Sequence, residues 1–308
     1  MTPGYDRPLY LLPFDHRHSY VSGMFHASEP LTTEQRNQVI DSKRLIFEGF
    51  QAALATKGVP PADAGILVDE EFGADVLRDA AAQGAITAMS VETSGSDEFD
   101  FEYGAAFAEH IAAFSPTFAK VLVRFNPEGD PALNGRQTER LARLSAWCRA
   151  HDQRLMFELL VPATKQQLAV AAGDAAMYDL HQRPALMLEA ISQLRTAGID
   201  PDVWKIEGLD RREDCERIVA AARRDGREQV SCIVLGRGAD DAKVVEWLKI
   251  AATVDGFTGF AVGRTTFWNA VAAFEGGKAS RAEAVEQIAA NFAEWVGVFQ
   301  SAHETAHN

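Results

Sequence analysis

The chain of 308 residues alternates short apolar runs with amphipathic stretches eight times, and this alternation narrows its fold more than any other feature. Leu9–Phe14 is followed, after a polar loop, by Thr33–Lys57, Ile66–Asp69 by Ala74–Gln83, and Ile86–Glu92 by Phe101–Phe114. Ala119–Phe125 precedes Arg136–Ala150, Leu155–Val161 precedes Ala185–Ala197, and Val203–Glu207 precedes Arg211–Arg224. Val230–Gly236 precedes Asp240–Ala251, and Phe257–Gly263 precedes Phe267–Phe274. Strands alternating with helical patterns imply βαβ units and a parallel sheet. Eight such units in a chain of this size predict a (β/α)8 TIM barrel. A doubly wound sheet would place a glycine-rich phosphate turn after its first strand. Here Asp15-His16-Arg17-His18-Ser19 follows instead, with no GxGxxG.

A last amphipathic stretch, Arg281–Phe299, adds an extra C-terminal helix with Ile288, Phe292, Trp295, Val296 and Phe299 on one stripe. That stripe packs back on its own barrel or, as the alternative, forms a homo-oligomer contact. No Pro/Gly/Ser-rich linker interrupts the chain, so residues 1–308 are expected to form one domain. The segment between Pro162 and Pro184 is the longest after a strand. It either covers the active site or carries a short helix over Lys165–Ala171.

Thirty basic against forty-four acidic residues give a net charge of −14, which argues against a nucleic-acid surface, because neutralising phosphates needs basic patches. A small pocket for a single phosphate remains compatible with that charge. Cys148, Cys215 and Cys232 are far apart and odd in number, forming neither a disulfide framework nor a CxxC pair. The first residues lack a basic segment leading into an apolar core, and no run of about 18 apolar residues occurs. A soluble, cytoplasmic protein without membrane contact is expected.

In a barrel the chemistry lies where strands end and βα loops begin. Asp15 and Arg17 end strand 1, Asp69, Glu70 and Glu71 end strand 2, and Ser90 and Glu92 end strand 3. Lys120 and Arg124 bracket strand 4, Glu158 lies in strand 5, and Lys205 and Glu207 lie in strand 6. Alternation puts Val203, Lys205 and Glu207 on one face of their strand. A lysine among apolar strand residues snorkels or pairs with Glu207; alternatively, burial lowers its pKa and makes it a nucleophile for a carbonyl. Isolated charges inside a barrel are expensive, so opposite charges should interleave, as Lys120, Glu158, Lys205 and Glu207 do. That set favours a catalytic cluster. The turns Gly236-Arg237-Gly238 and Gly263-Arg264-Thr265-Thr266 end strands 7 and 8, where such barrels often cradle a phosphate. Arg237 and Arg264 would add charge-assisted contacts. His16 and His18 form an HxH pair at the end of strand 1, but later strand ends offer no histidines to complete a metal site. Local hydrogen bonding is the expected role of these loop histidines. No metal and no cofactor are expected.

The segments LLPFDHRHSY, ILVDEEFG, KVLVRFNPEGD, FELLVP, WKIEGLD, VLGRGAD and GFAVGRTTFW, with WKIEGLD and GFAVGRTTFW the most specific, together span almost the whole chain. On these segments the chain resembles the class I aldolases related to tagatose-1,6-bisphosphate aldolase. More closely, it resembles the aldolase-like domain, of the DUF2090 type, fused behind the sugar kinase of myo-inositol catabolism; here it would be a stand-alone version. The resemblance implies a Schiff-base lysine at Lys205, with Glu158, Lys120 and Asp15 as its catalytic companions. It also implies a phosphate loop at Gly263 and Arg264. Arg124 and Asn126 stand where the tagatose enzymes carry uncharged aromatic and acidic residues, and the Gly236-Arg237 turn is more basic than theirs. Both departures point to a more acidic phosphorylated sugar. Arg124 is then expected to hold a carboxylate, while Arg17, Ser90 and Glu207 complete the binding set.

Overall fold

A computed structural model describes residues 4–236 and 240–307. In chain order the elements are β1 (Leu9–Pro13), α1 (His18–Met24), α2 (Thr33–Thr56), β2 (Ala64–Asp69), α3 (Glu70–Ala82), β3 (Ile86–Ser90), α4 (Phe107–Phe114) and β4 (Phe118–Arg124). They continue with α5 (Pro131–Ala150), β5 (Arg154–Leu160), α6 (Lys165–Val170), α7 (Ala175–His181), α8 (Arg183–Thr196), β6 (Val203–Glu207) and α9 (Arg212–Ala222). The last are β7 (Ser231–Leu235), α10 (Asp241–Ala252), β8 (Phe257–Ala261), α11 (Arg264–Glu275) and α12 (Arg281–His307). The strands pair in sequence order, all parallel, and β8 closes on β1, so the expected (β/α)8 TIM barrel with an extra C-terminal helix is what forms.

Alternation along each strand divides the core in two. One set of faces fills the barrel interior with Leu9, Leu11, Leu67, Ala88, Phe118, Met156, Val203 and Ile233. The other set, with Leu12, Ile66, Val121, Phe157, Trp204 and Phe260 among it, packs beneath the surrounding helices.

Several boundaries move for local reasons. Helix α3 begins at Glu70 because the Asp69 side chain accepts the Phe72 N–H, and α5 begins at Pro131 because Asp130 caps it and proline suits a first turn. The stretch Phe101–Phe114 is not one helix. Phe99 and Phe101, two residues apart, are both buried, which marks extended chain, and Glu92 bridges antiparallel to Phe101. Only Phe107–Phe114 is α-helical, after a 3-10 turn at Gly104–Ala106. The segment between Pro162 and Pro184 carries two short helices, α6 and α7, where one was expected. Among the described residues no helix is long and apolar enough to cross a membrane.

Helix α12 lies back on its own barrel. Ile288, Phe292, Trp295, Val296 and Phe299 are all buried, and Phe292 sits between Phe50 of α2 and Phe260 of β8 at ring distances of 5.8 and 6.2 Å. Truncating such a ring removes apolar contact and leaves a cavity. Phe292→Ala should therefore cost about 3–5 kcal/mol of unfolding free energy in urea titration. The loss should not depend on protein concentration; a concentration-dependent midpoint would contradict this packing.

Candidate active site

The interior faces of the strands continue upward from the apolar plug into a charged layer. Two residues after Phe118, Met156 and Val203 come Lys120, Glu158 and Lys205, and all three are buried. Register holds Glu158 directly beside Lys205 across β5 and β6. Lys120 Nζ is 2.7 Å from Asp15 Oδ2, 2.7 Å from Glu92 Oε1 and 2.9 Å from Glu158 Oε2. Lys205 Nζ is 2.7 Å from Glu158 Oε1, so one carboxylate spans two ammonium groups.

These contacts set the protonation states. Burial works against the charge on Lys120, but Asp15, Glu158 and Glu92 outweigh it and hold the ammonium well above the usual lysine range. Burial also pushes Glu158 up, yet Lys120 and Lys205 together keep its carboxyl below the usual range. Asp15 is held down likewise, its burial outweighed by the same two lysines. At Glu92 the balance reverses: burial outweighs Lys120, Asp15 adds repulsion, and the carboxyl is raised.

Above this layer opens a cavity of about 400 Å³, lined by Asp15, His16, Arg17, Glu92, Lys120, Arg124, Glu158, Lys205, Gly236, Gly263, Arg264 and the loop Thr93–Phe99, among others. Most residues expected at a site thus share one cavity. Arg17 is already engaged, donating to Glu102 at 2.8 Å and to the Glu92 carbonyl. Arg124 donates to the Ser96 carbonyl at 2.9 Å, and its Nε lies 3.7 Å from Asp97. Arg264 opens α11, whose N-terminus, with its positive end of the helix dipole, faces the cavity. A Cβ at Gly263 would meet the Pro13 carbonyl oxygen at 2.3 Å, so only glycine lets the end of β8 close on β1 here.

Ser90 and Glu207 are not brought to the cavity wall. Glu207 accepts the Val161 N–H at 2.9 Å and lies 3.7 Å from Arg183, so it ties β6 to the segment after β5 instead of balancing the lysines. Ser90 is buried below the rim. Arg237 lies outside the described residues. Asn126 donates to the Pro162 carbonyl and to Gln167, and Asp69 pairs with the buried Lys43. No residue of the segment between Pro162 and Pro184 lines the cavity; the loop Thr93–Phe99 does so in its place.

Two acid–base groups stand outside the expected catalytic and binding set. Glu92, placed by the sequence at the end of strand 3, lies one alternation beyond Ser90 and lines the cavity where Ser90 does not. His16 was weighed only as half of an HxH pair. His18 is exposed, and among the described residues no group of three or more His, Cys, Asp or Glu side chains could hold a metal ion. The His16 ring sits edge-on to Phe267 at 6.2 Å with Nδ1 buried and unpartnered among the described residues. Burial, reinforced by Arg264 and Lys205 against the pull of Asp15, lowers its pKa to about 4.

The family model described as "Uncharacterized protein conserved in bacteria (DUF2090)" matches residues 5–303. No curated protein matches the chain in sequence. Among solved structures, one from Corynebacterium glutamicum is similar at 18% identity and a TM-score of 0.56, covering 95% of this chain and 88% of its own. Fructose-bisphosphate aldolase from Plasmodium falciparum is similar at 14% identity and a TM-score of 0.60, with 97% and 98% coverage. An archaeal fructose-1,6-bisphosphate aldolase, solved with its catalytic lysine covalently bound to a carbinolamine intermediate, is similar at 11% identity and a TM-score of 0.57. It covers 95% of this chain and 94% of its own. At these identities the likeness is one of fold.

The lowered His16 value has a definite sign. Between pH 6.5 and about 4 the unfolded chain takes up a proton that His16 refuses in the fold, so stability falls as pH drops through that window. NMR titration should place the imidazole near 4, and His16→Asn should flatten that part of the stability–pH curve. An imidazole titrating at or above 6.5 would contradict the burial described.

Proposed function

The chain belongs to the DUF2090 family, and within its barrel we propose a class I aldolase that works through a Schiff base on Lys205. The observation that carries this is Glu158, which spans two buried lysines; among the described residues Lys205 has one carboxylate partner and Lys120 has three. Lys205 therefore has fewer ion pairs to break, and like Lys120 it lines the cavity. The fold it shares with Schiff-base-forming aldolases supports the same assignment.

In this mechanism Lys205 Nζ attacks a substrate ketone and water leaves, giving a protonated imine that acts as an electron sink. Glu158, ionised and within reach of both lysines, takes the proton from the hydroxyl two carbons away, and the intervening carbon–carbon bond breaks. An aldehyde departs and an enamine remains on Lys205; its protonation and hydrolysis release the second product. Lys120 stays charged and with Asp15 fixes the position of Glu158.

The substrate is a phosphorylated keto sugar acid, with 2-deoxy-5-keto-gluconate 6-phosphate as the best candidate. Its C3–C4 bond would break to give dihydroxyacetone phosphate and malonate semialdehyde. Two cationic groups support a doubly anionic ligand. Arg264 and the α11 N-terminus lie after β8, Arg124 lies at the end of β4, and these strands are four places apart in a ring of eight. The phosphate would sit at Gly236, Gly263 and Arg264, and the carboxylate at Arg124.

Borohydride reduction in the presence of dihydroxyacetone phosphate should leave a covalent adduct on Lys205, located by peptide mass spectrometry and absent from Lys205→Ala. No adduct, or one that survives that substitution, would overturn the aldolase assignment; phosphosugars that then only raise the melting temperature would indicate a binding barrel. Trapping without cleavage of the keto sugar acid phosphate would redirect the substrate to another phosphorylated or sulfonated ketose. Arg264→Ala should raise KM roughly 10–100-fold, the scale of one lost charge-assisted contact.

A further inference from the structure

Behind the cavity wall lies a second buried ion pair, which takes no part in the proposed chemistry. Lys43 of α2 and Asp69 at the end of β2 are both fully buried and in contact. Asp69 is itself fixed, because its other oxygen accepts the Phe72 N–H of the first turn of α3 at 2.8 Å. The rings of Tyr20 and Phe72 flank the ammonium at 5.8 and 5.6 Å. A lysine carries three N–H donors, and a second one here goes to the His16 carbonyl at 3.2 Å. Apolar side chains of the same volume would serve stability as well or better, so stability does not account for this pair.

Its effect is on the segment that His16 occupies. The Phe14 N–H still bonds the Leu67 carbonyl at 2.8 Å, and the Arg17 carbonyl takes the N–H groups of Tyr20 and Val21 as α1 begins. Between those points the chain has left the sheet and has not entered the helix. Among the described residues the backbone of Asp15 and His16 makes one hydrogen bond, the one from Lys43. On either side of His16 stand side chains that build the site. Asp15 meets Lys120 Nζ at 2.7 Å, and Arg17 meets Glu102 at 2.8 Å and the Glu92 carbonyl. His16 itself lines the cavity.

We propose that Lys43 is a positioning residue: its bond to the His16 carbonyl fixes the segment Asp15-His16-Arg17 and so keeps Asp15 on Lys120. Its effect on rate rests on the aldolase assignment above; the placement of the segment does not. Without the bond Asp15 drifts from Lys120, and Lys120 draws more strongly on Glu158, the carboxylate it shares with Lys205. The group beside Lys205 is then out of place, while the phosphate corner after β8 is untouched.

Lys43→Met combined with Asp69→Asn removes one charge of each sign and leaves the net charge unchanged. Its urea midpoint should equal or exceed that of wild type. In rapid-quench borohydride trapping of the full chain with dihydroxyacetone phosphate, its adduct should form roughly ten- to a hundredfold more slowly. The final yield and the half-saturating concentration should stay the same, whereas a partly unfolded protein would lose yield. By NMR the His16 imidazole should move from about 4 toward 6.5 as the ring leaves its buried place. Asp69→Asn alone leaves the His16 bond and should lie nearer wild type than the double variant in both readings. Lys43→Gln, uncharged and one bond shorter, takes the same two readings if the double variant does not fold. A wild-type rate, an imidazole that stays near 4, or an Asp69→Asn variant as slow as the double overturns the role of Lys43. Absence of any adduct in wild type instead overturns the aldolase assignment, and the imidazole alone then decides the placement of the segment.

Discussion

One buried ammonium, that of Lys120, organises the top of this barrel. Three carboxylates from three places in the chain, Asp15 after β1, Glu92 after β3 and Glu158 in β5, converge on it within 2.9 Å. Taking charges out of water costs several kcal/mol each, and their attraction repays this only with good geometry and further hydrogen bonds. A well-packed apolar layer would serve stability as well or better. Such a cluster above an otherwise apolar plug therefore belongs with groups whose protonation matters to chemistry. It also fixes where everything else goes: Glu158 has an oxygen to spare for Lys205 because its other oxygen is taken by Lys120.

Much of this was legible in the sequence because both periodicities were clean. Eight apolar runs separated by amphipathic stretches led to the closed parallel barrel, and counting by twos along Val203-Trp204-Lys205 put the lysine inside it. The same count selected Lys120 and Glu158. It failed where the chain leaves the strand. Glu207 shares the parity of Lys205, yet at the last position of β6 its carboxylate turns to the Val161 N–H and Arg183. Glu92, named among the strand-end charges, has the parity of Ser90 but lies past the strand end, where an antiparallel bridge to Phe101 holds it in line. The period of two does not report that bridge, so it offered no reason to prefer Glu92 to Ser90 in the binding set.

Loop length misdirected attention in a similar way. The segment between Pro162 and Pro184 is long enough to reach over a site, but its polar and aromatic groups clamp it to the rim. Tyr178 donates to the Val161 carbonyl at 2.8 Å, Gln167 links Asn126 to Glu128, and Arg183 donates to the Gly208 carbonyl at 3.0 Å. The shorter loop Thr93–Phe99 lines the cavity instead, and its composition allows close approach. Gly95, at φ +76°, packs over His18, with an added Cβ only 3.3 Å from that ring. The small residues Ser94, Gly95 and Ser96, rather than length, were the better sign of a segment that lines the cavity.

For the proposed aldolase, two lysines in one barrel are candidates for the nucleophile, and coordination favours Lys205. An amine must shed its proton before it can attack a carbonyl. For Lys120 that would leave Asp15, Glu92 and Glu158 facing a neutral group, three buried acceptors having lost the charge that gathered them. For Lys205 only Glu158 loses a partner, and Glu158 still has Lys120 on its other oxygen. Freeing Lys205 thus breaks fewer ion pairs, and the proposed iminium would return a positive charge to the same place beside the same carboxylate. The two cations share Glu158 as their common counter-ion, so in the proposed mechanism the charge on Lys205 would come and go without unmaking the cluster around Lys120.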